Sequence, residues 1–229
     1  MKNLRTIFLF LTFLPHLAHA AGAYLVDDGG IADANKLQVE SWYSQSNTGE
    51  TILVTNPAYQ LLPNAEFAMQ ESYDEKSKTV NTLWPQVKYL WHKSENVLSS
   101  TTIGTNYSTT DQKNYGSYAY SSTSLNVSEF ADVHFYVGWQ NWRHALRNNK
   151  SVDFLNYGLG SEIHLSKSLF FIPEIFQANG ASKTGPTRPA TQFGLRYFAS
   201  NHLILDAIYG HNINGNLQDW MTLGATLMF

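Results

Sequence analysis

The sequence predicts an all-β chain: a single antiparallel transmembrane β-barrel of about twelve strands. Three observations carry that reading. The chain opens on a short basic and apolar leader, it alternates polar and apolar residues from position 36 onward, and it closes on a strand with one apolar face and a terminal aromatic residue. A period of two belongs to an extended chain whose two faces meet different surroundings.

In the leader, Lys2 and Arg5 precede the apolar run from Ile7 to Leu14, and Ala18 and Ala20 form a small-x-small site. Such a combination makes a secretory signal peptide, with cleavage expected after Ala20. A membrane-spanning helix needs about 20 apolar residues, more than this run provides. The expected plan is a signal peptide at 1–20, an irregular lead-in at 21–35 and an outer-membrane barrel at 36–229. Within the lead-in, Gly29, Gly30 and the nearby Asp residues signal turns. It is either a tail outside the barrel or a segment folded into the barrel mouth. Asp27 and Asp28 read as an adjacent solvated pair rather than a cation site.

From Lys36 the strands follow in order. Leu37, Val39 and Tyr43 oppose Gln38, Glu40 and Ser44, and residues 47–50 supply a hairpin turn. The return strand runs from Thr51 toward Pro57, with Leu61, Leu62 and Pro63 as an irregular connection. Ala65, Phe67 and Met69 alternate with Glu66, Ala68 and Gln70 before a charged loop at 74–78. Leu83, Val87, Tyr89 and Trp91 oppose Thr82, Gln86, Lys88 and His92, and Pro85 requires a bulge or an unpaired site. After a turn at 92–96, the strand through Ile103 and Tyr107 leads to the polar loop 109–114. Between Tyr115 and Val127 the parity conflicts, because Tyr118 and Tyr120 oppose Leu125 and Val127. A bulge would reconcile them.

Alternation is clearest where Ala131, Val133, Phe135, Val137 and Trp139 oppose Asp132, His134, Tyr136 and Gly138. Beyond a long basic and aromatic loop at 140–151, Leu155, Tyr157, Leu159 and Ile163 oppose Asn156, Gly158, Gly160, Glu162 and His164. Leu169, Phe171 and Ile175 then oppose Phe170, Ile172, Glu174 and Phe176. Past the loop 179–189, Phe193, Leu195 and Tyr197 oppose Gln192, Gly194 and Arg196. A tight turn at 200–201 leads to Leu203, Leu205, Ala207 and Tyr209 opposite Asp206.

In the closing strand, Met221, Leu223, Ala225, Leu227 and Phe229 share one parity, against Thr222, Gly224 and Thr226. Its pattern of Gly224, Leu227 and Phe229 resembles the C-terminal signal of bacterial outer-membrane barrels. That resemblance implies location in the cell outer membrane and handling by the barrel assembly machinery. An even strand count, with short turns at 93–96, 166–168 and 200–201 and longer loops at the other end, fits the same architecture.

The composition narrows the function classes. The chain holds no cysteine, so thiolate metal sites and disulfides are excluded. Without Lys2 and Arg5, 13 basic residues face 18 acidic ones, a formal charge of −5, which argues against a nucleic-acid partner. No histidine pair stands at ligand spacing, and neither metal nor cofactor is expected. The segment from Gly180 to Gly185 begins like a phosphate loop, but Pro186 stands where Lys is required. His164 and Ser166 share a strand face as in outer-membrane phospholipases, yet at the wrong end for the outer leaflet, so no catalytic residue is assigned.

If the apolar parity faces lipid, the other lines the lumen. That lining includes Glu40, Lys88, Asp132, His134, Glu162, His164, Glu174, Arg196 and Asp206. They form either a structural ion-pair network or the wall of a solute path. Trp42, Trp84, Trp91, Tyr107, Trp139, Tyr197, Tyr209 and Trp220 lie near strand ends, where interfacial girdles favour such rings. A sugar-binding ladder is the alternative, with Trp42 and Trp84 on the lumen parity. Trp142 to Arg147, with Lys150, carries cations suited to lipopolysaccharide phosphates, making outer-membrane lipid an expected partner.

The stretch from Ala23 to Trp42 resembles small proteobacterial outer-membrane proteins, and the family associated with meta-pathway phenol degradation in particular. The resemblance implies a barrel transporter, without carrying a substrate residue to any position here. The function expected is passive movement of a small solute, selected by lumen charge and pore width, with Glu162, Glu174, Arg196 and Asp206 on the path and ion selectivity sensitive to Arg196→Ala. A non-transporting structural or surface-contact barrel is the alternative, and a lipid-modifying enzyme a third.

Overall fold

Each period-two segment becomes a strand. The computed structural model describes residues 23–74, 79–110, 112–144, 150–178, 188–214 and 218–229. The leader, the phosphate-loop-like segment and Arg147 lie outside the described residues.

Twelve strands run in chain order: β1 Leu37–Ser46, β2 Thr51–Leu62, β3 Ala65–Asp74, β4 Thr79–Lys93, β5 Val97–Ser108, β6 Lys113–Ser128, β7 Ala131–His144, β8 Lys150–His164, β9 Leu169–Ala178, β10 Arg188–Ser200, β11 Leu203–Asn212 and β12 Asp219–Met228. Each pairs antiparallel with its sequence neighbours, and β12 closes onto β1. Leu37 and Phe229 seal the seam by exchanging backbone hydrogen bonds of 3.2 and 2.9 Å. Closure removes the two unpaired edges an open sheet would expose. The start of β1 and the end of β12 lie at one end of the barrel, the terminal end, beside the short connections 63–64, 94–96, 129–130, 165–168 and 201–202. The strand ends that bound 179–187 and 213–218 lie at the opposite, loop end.

The outer face carries the exposed apolar parity, with Leu155, Leu159, Leu195 and Leu223 among many others. Strand prolines interrupt the ladder without moving it. Pro85 faces Met69 on β3, while its pairing toward β5 lapses between Leu83 and Gln86 and resumes in the same register. Pro57 and Pro173 stand at similar gaps toward β3 and β8. A residue without an N–H leaves one rung unmade, so Pro85 takes the unpaired site rather than the bulge.

The structure corrects the sequence reading at three further places. The β6 ladder is unbroken from Gly116 to Leu125, so no bulge separates Tyr118 and Tyr120 from Leu125. The tyrosines simply face inward, because a phenol can be half buried on a polar wall. Leu61 and Leu62 belong to β2. Most of the expected loop 140–151 is strand as well, since β7 runs to His144 and β8 starts at Lys150.

Candidate functional site

The barrel interior is the candidate site, and residues 23–36 occupy part of it. This lead-in has no regular structure, but Tyr24, Val26, Asp28, Ile31 and Ala32 are buried. Its contacts pass around the inner wall. Ala23 sits by Gly224 on β12, Tyr24 by Gly194 and Ile208 on β10 and β11, and Val26 by Gly158, Gly160 and Phe176 on β8 and β9. Asp27 and Asp28 meet Lys88 on β4, Gly29 meets Leu98 and Ser124 on β5 and β6, and Ala32 reaches Glu66 on β3. The segment is thus an inner collar rather than a tail outside the barrel.

Polar groups of the wall satisfy the collar's backbone. The amides of Leu25 and Val26 donate to Glu174 Oε2 and Oε1 at 3.1 and 3.2 Å, and Gln192 Nε2 donates to Oε2 at 2.6 Å. The amide of Ala32 donates to Glu66 Oε2 at 2.6 Å. Gly29 N donates to Ser124 Oγ at 2.8 Å, and that hydroxyl in turn meets His134 Nδ1 at 2.8 Å. Without periodic structure the collar needs such partners, since a buried unpaired amide costs about 1–3 kcal/mol. Three small apolar clusters add packing: Tyr24 with Ile172 and Ile208, Val26 with Phe176 and Ala190, and Ile31 with Leu90 and Leu98.

Ion pairs lie in the same band. Lys88 Nζ lies 2.9 Å from Asp27 Oδ1 and 3.5 Å from Asp28 Oδ1. The two aspartates therefore hold a buried lysine, and the expected solvated pair is corrected. Arg196, 0% exposed, places Nη1 2.6 Å from Glu162 Oε1 and Nε 3.0 Å from Asp206 Oδ1. Its guanidinium lies 4.8 Å from the centre of the Tyr24 ring. His164 Nε2 lies 3.2 Å from Asp132 Oδ2, with Asn126 Nδ2 3.0 Å from Oδ1. Glu40 accepts from Gln38 and Asn56 at 2.8 and 3.1 Å. Glu162, Glu174, Arg196 and Asp206 all stand on the inner wall, but the collar and its ion pairs bury them. Glu174 and Arg196 hold the collar directly, and Glu162 and Asp206 hold Arg196, so the four are covered in this structure.

Glycines on the inner parity make room for these contacts. A Cβ on Gly194 would stand 2.4 Å from the Tyr24 hydroxyl, one on Gly158 2.9 Å from Val26, and one on Gly29 2.2 Å from the Leu98 carbonyl. Others admit rings of the wall. Gly104 receives Tyr118, Gly158 receives Tyr136 and Gly210 receives Trp220. Covering a strand glycine with a neighbouring ring restores packing that the missing side chain gives up.

These rings split the expected girdle. Trp91, Tyr107, Trp139, Tyr197 and Tyr209 point outward and are exposed. Trp220 instead faces inward, 6.5 Å from Phe176, because the even positions of β12 line the interior. Trp142 is also strand rather than loop, with its ring 5.8 Å from that of Trp84. The inward glycines and tyrosines were the available sequence signal for a filled interior.

Among the described residues, two His/Ser pairs stand near the interior. His164 is held by Asp132 and by the Glu129 carbonyl, while Ser166 Oγ accepts from the amides of Ser168 and Leu169 in its turn. Ser124 and His134 do touch, but among the described residues His134 Nε2, where an orienting group would stand, has no partner. Among the described residues no group of three His, Cys, Asp or Glu is placed to hold a metal.

The family described as Uncharacterised conserved protein UCP029691 matches residues 8–229. The chain belongs to that family. No curated protein matches it. Among solved structures it is similar to KdgM porin in complex with disordered oligogalacturonate, at 9% identity and a TM-score of 0.66, covering 84% of this chain and 99% of that one. NanC porin gives 9% identity and a TM-score of 0.62 over 83% and 98% of the two chains. The COG4313 outer membrane channel from Pseudomonas putida F1 gives 9% and 0.57 over 86% and 97%. At such identities the likeness shows the fold: a twelve-stranded porin-type barrel.

Proposed function

We propose that this protein is a passive outer-membrane channel for a small solute, narrowed at its terminal end by the collar. The observation that carries this is the closed barrel with an apolar exterior and a polar interior. An exposed apolar band around a closed sheet suits lipid, and buried carboxylates and amides are tolerated only where partners or water meet them. Similarity to porins and a channel supports the same reading. The terminal end then faces the periplasm and the loop end the outside. The resemblance to the phenol-degradation family supports a barrel transporter and names no solute.

A specific observation favours a second reading. The collar's contacts reach from β12 to β3, and in a non-transporting barrel this segment would stay in place. Conductance of the refolded mature protein in a planar bilayer separates the two. Discrete, reproducible steps establish the channel. Silence from a folded barrel that gives steps once residues 21–32 are removed establishes a stopper. Silence from both removes the channel reading.

A further inference from the structure

Charge is unevenly distributed along the interior. The buried ion pairs described above belong to the terminal-end half or the collar. Toward the loop end, beyond Lys88 on β4 and Tyr120 on β6, the inner parity of β4–β8 carries amides, hydroxyls, rings and small residues, with Gln86, Asn106, Gln140 and Asn156 among them, and ionisable residues return at the last rungs, at Asp74, Lys113, His144 and Lys150. Five rings form a connected series down this wall. Trp142 lies 5.8 Å from Trp84, Trp84 5.7 Å from Tyr118, Tyr118 6.1 Å from Tyr120 and Tyr120 5.9 Å from Tyr136. Tyr136 ends the series by packing against the collar cluster of Val26 and Phe176.

Hydrogen-bonding groups stand beside the rings. The Tyr118 hydroxyl donates to Gln86 Oε1 at 2.7 Å, and Asn156 Nδ2 donates to Gln140 Oε1 at 3.1 Å. Asn106 is 1% exposed, sits between Trp84 and Gly116 in the register, and neither its amide nitrogen nor its oxygen has a partner. The Asn156 oxygen is likewise unpartnered. Buried amides are ordinarily satisfied. A wall that combines apolar ring faces with unpaired amides, with its ionisable residues set at the rim and at the collar, fits a ligand with apolar faces and hydroxyl edges.

We infer that this track, Trp142–Trp84–Tyr118–Tyr120–Tyr136, binds a neutral saccharide in the outer half of the barrel. Sugar C–H faces lie on the rings, and the amides take the hydroxyls. An anionic sugar is disfavoured, because the acidic collar and wall lie directly below. The inference rests on the channel reading for its route but not for its chemistry.

The test is titration calorimetry of the refolded mature chain in an amine-oxide detergent, which unlike alkyl maltosides carries no sugar. Maltotriose is the probe, with trigalacturonate and phenol as comparisons. Maltotriose binding that weakens about tenfold in Trp84→Leu and is unchanged in Trp139→Leu on the outer face supports the track. Gln86→Leu, weakening the same binding, supports it if Trp84→Leu does not fold. No maltotriose binding by the folded wild type, equal binding in both tryptophan variants, or preference for trigalacturonate or phenol overturns it. Planar-bilayer conductance of the same preparation keeps the readings apart: steps without sugar binding sink the track alone, and sugar binding without steps sinks the channel alone.

Discussion

The guanidinium of Arg196 on β10 lies over the ring of Tyr24 in the lead-in, inside the barrel and 4.8 Å from the ring centre. The same guanidinium is held by Glu162 and Asp206. One buried cation therefore joins three wall strands to the collar.

Removing that cation leaves two buried carboxylates facing each other. Arg196→Ala is expected to destabilise the barrel by about 3–5 kcal/mol, read as a lower urea midpoint for unfolding from lipid vesicles. A loss under about 1 kcal/mol, the range of an exposed pair, would show that the network is solvated and the collar absent from its site.

Glu174 accepts from two consecutive collar amides and from Gln192. Hydrogen bonds to a charged group contribute about 1.5–3 kcal/mol each, so Glu174→Ala should loosen residues 23–26. Faster hydrogen exchange at the Leu25 and Val26 amides, with strand amides unchanged, is the expected result. Unchanged exchange at these two positions would mean that apolar packing alone retains the collar.

The chain has no cysteine, so a pair can be introduced cleanly. A Cβ on Gly160 would lie 3.3 Å from that of Val26, close to the separation of about 3.5–4.5 Å in disulfides. Val26→Cys with Gly160→Cys should oxidise without a catalyst and fix the collar to β8. In the channel reading, conductance rises when the bond is reduced. Equal conductance in the two states would place the solute path clear of the collar.

Leu159 and Gly160 are neighbours on opposite faces of β8. If the outer face meets lipid, Leu159→Arg should lower folding free energy into vesicles by up to about 2–4 kcal/mol. Arginine at Phe193 on β10, another exposed outer position, should behave the same way. Tolerance of both would contradict a membrane setting.

The architecture was legible because strand period, turn residues and closing strand all point one way. Trp139 with its parity partners predicts the outer face, and Arg196 with Asp206 the inner one. Position 220 was misread because strand-end placement suggested a girdle, whereas parity with Thr222 decides its direction. Tyr118 and Tyr120 misled for a related reason: a ring that is partly polar is compatible with either face, so hydropathy alone cannot orient it.

By itself the sequence determined the repeating unit, the strand number and which side chains share a face, since those follow from local alternation. Only the tertiary structure decided what the inner face surrounds. Residues 23–36 have no period, and their place depends on partners distant in the chain, with Glu174 lying 148 residues beyond Val26. Closure brings those partners onto one small circumference, where glycines clear the space and buried charges pair across it. Such contacts depend on the curvature of the closed sheet, which no local pattern encodes.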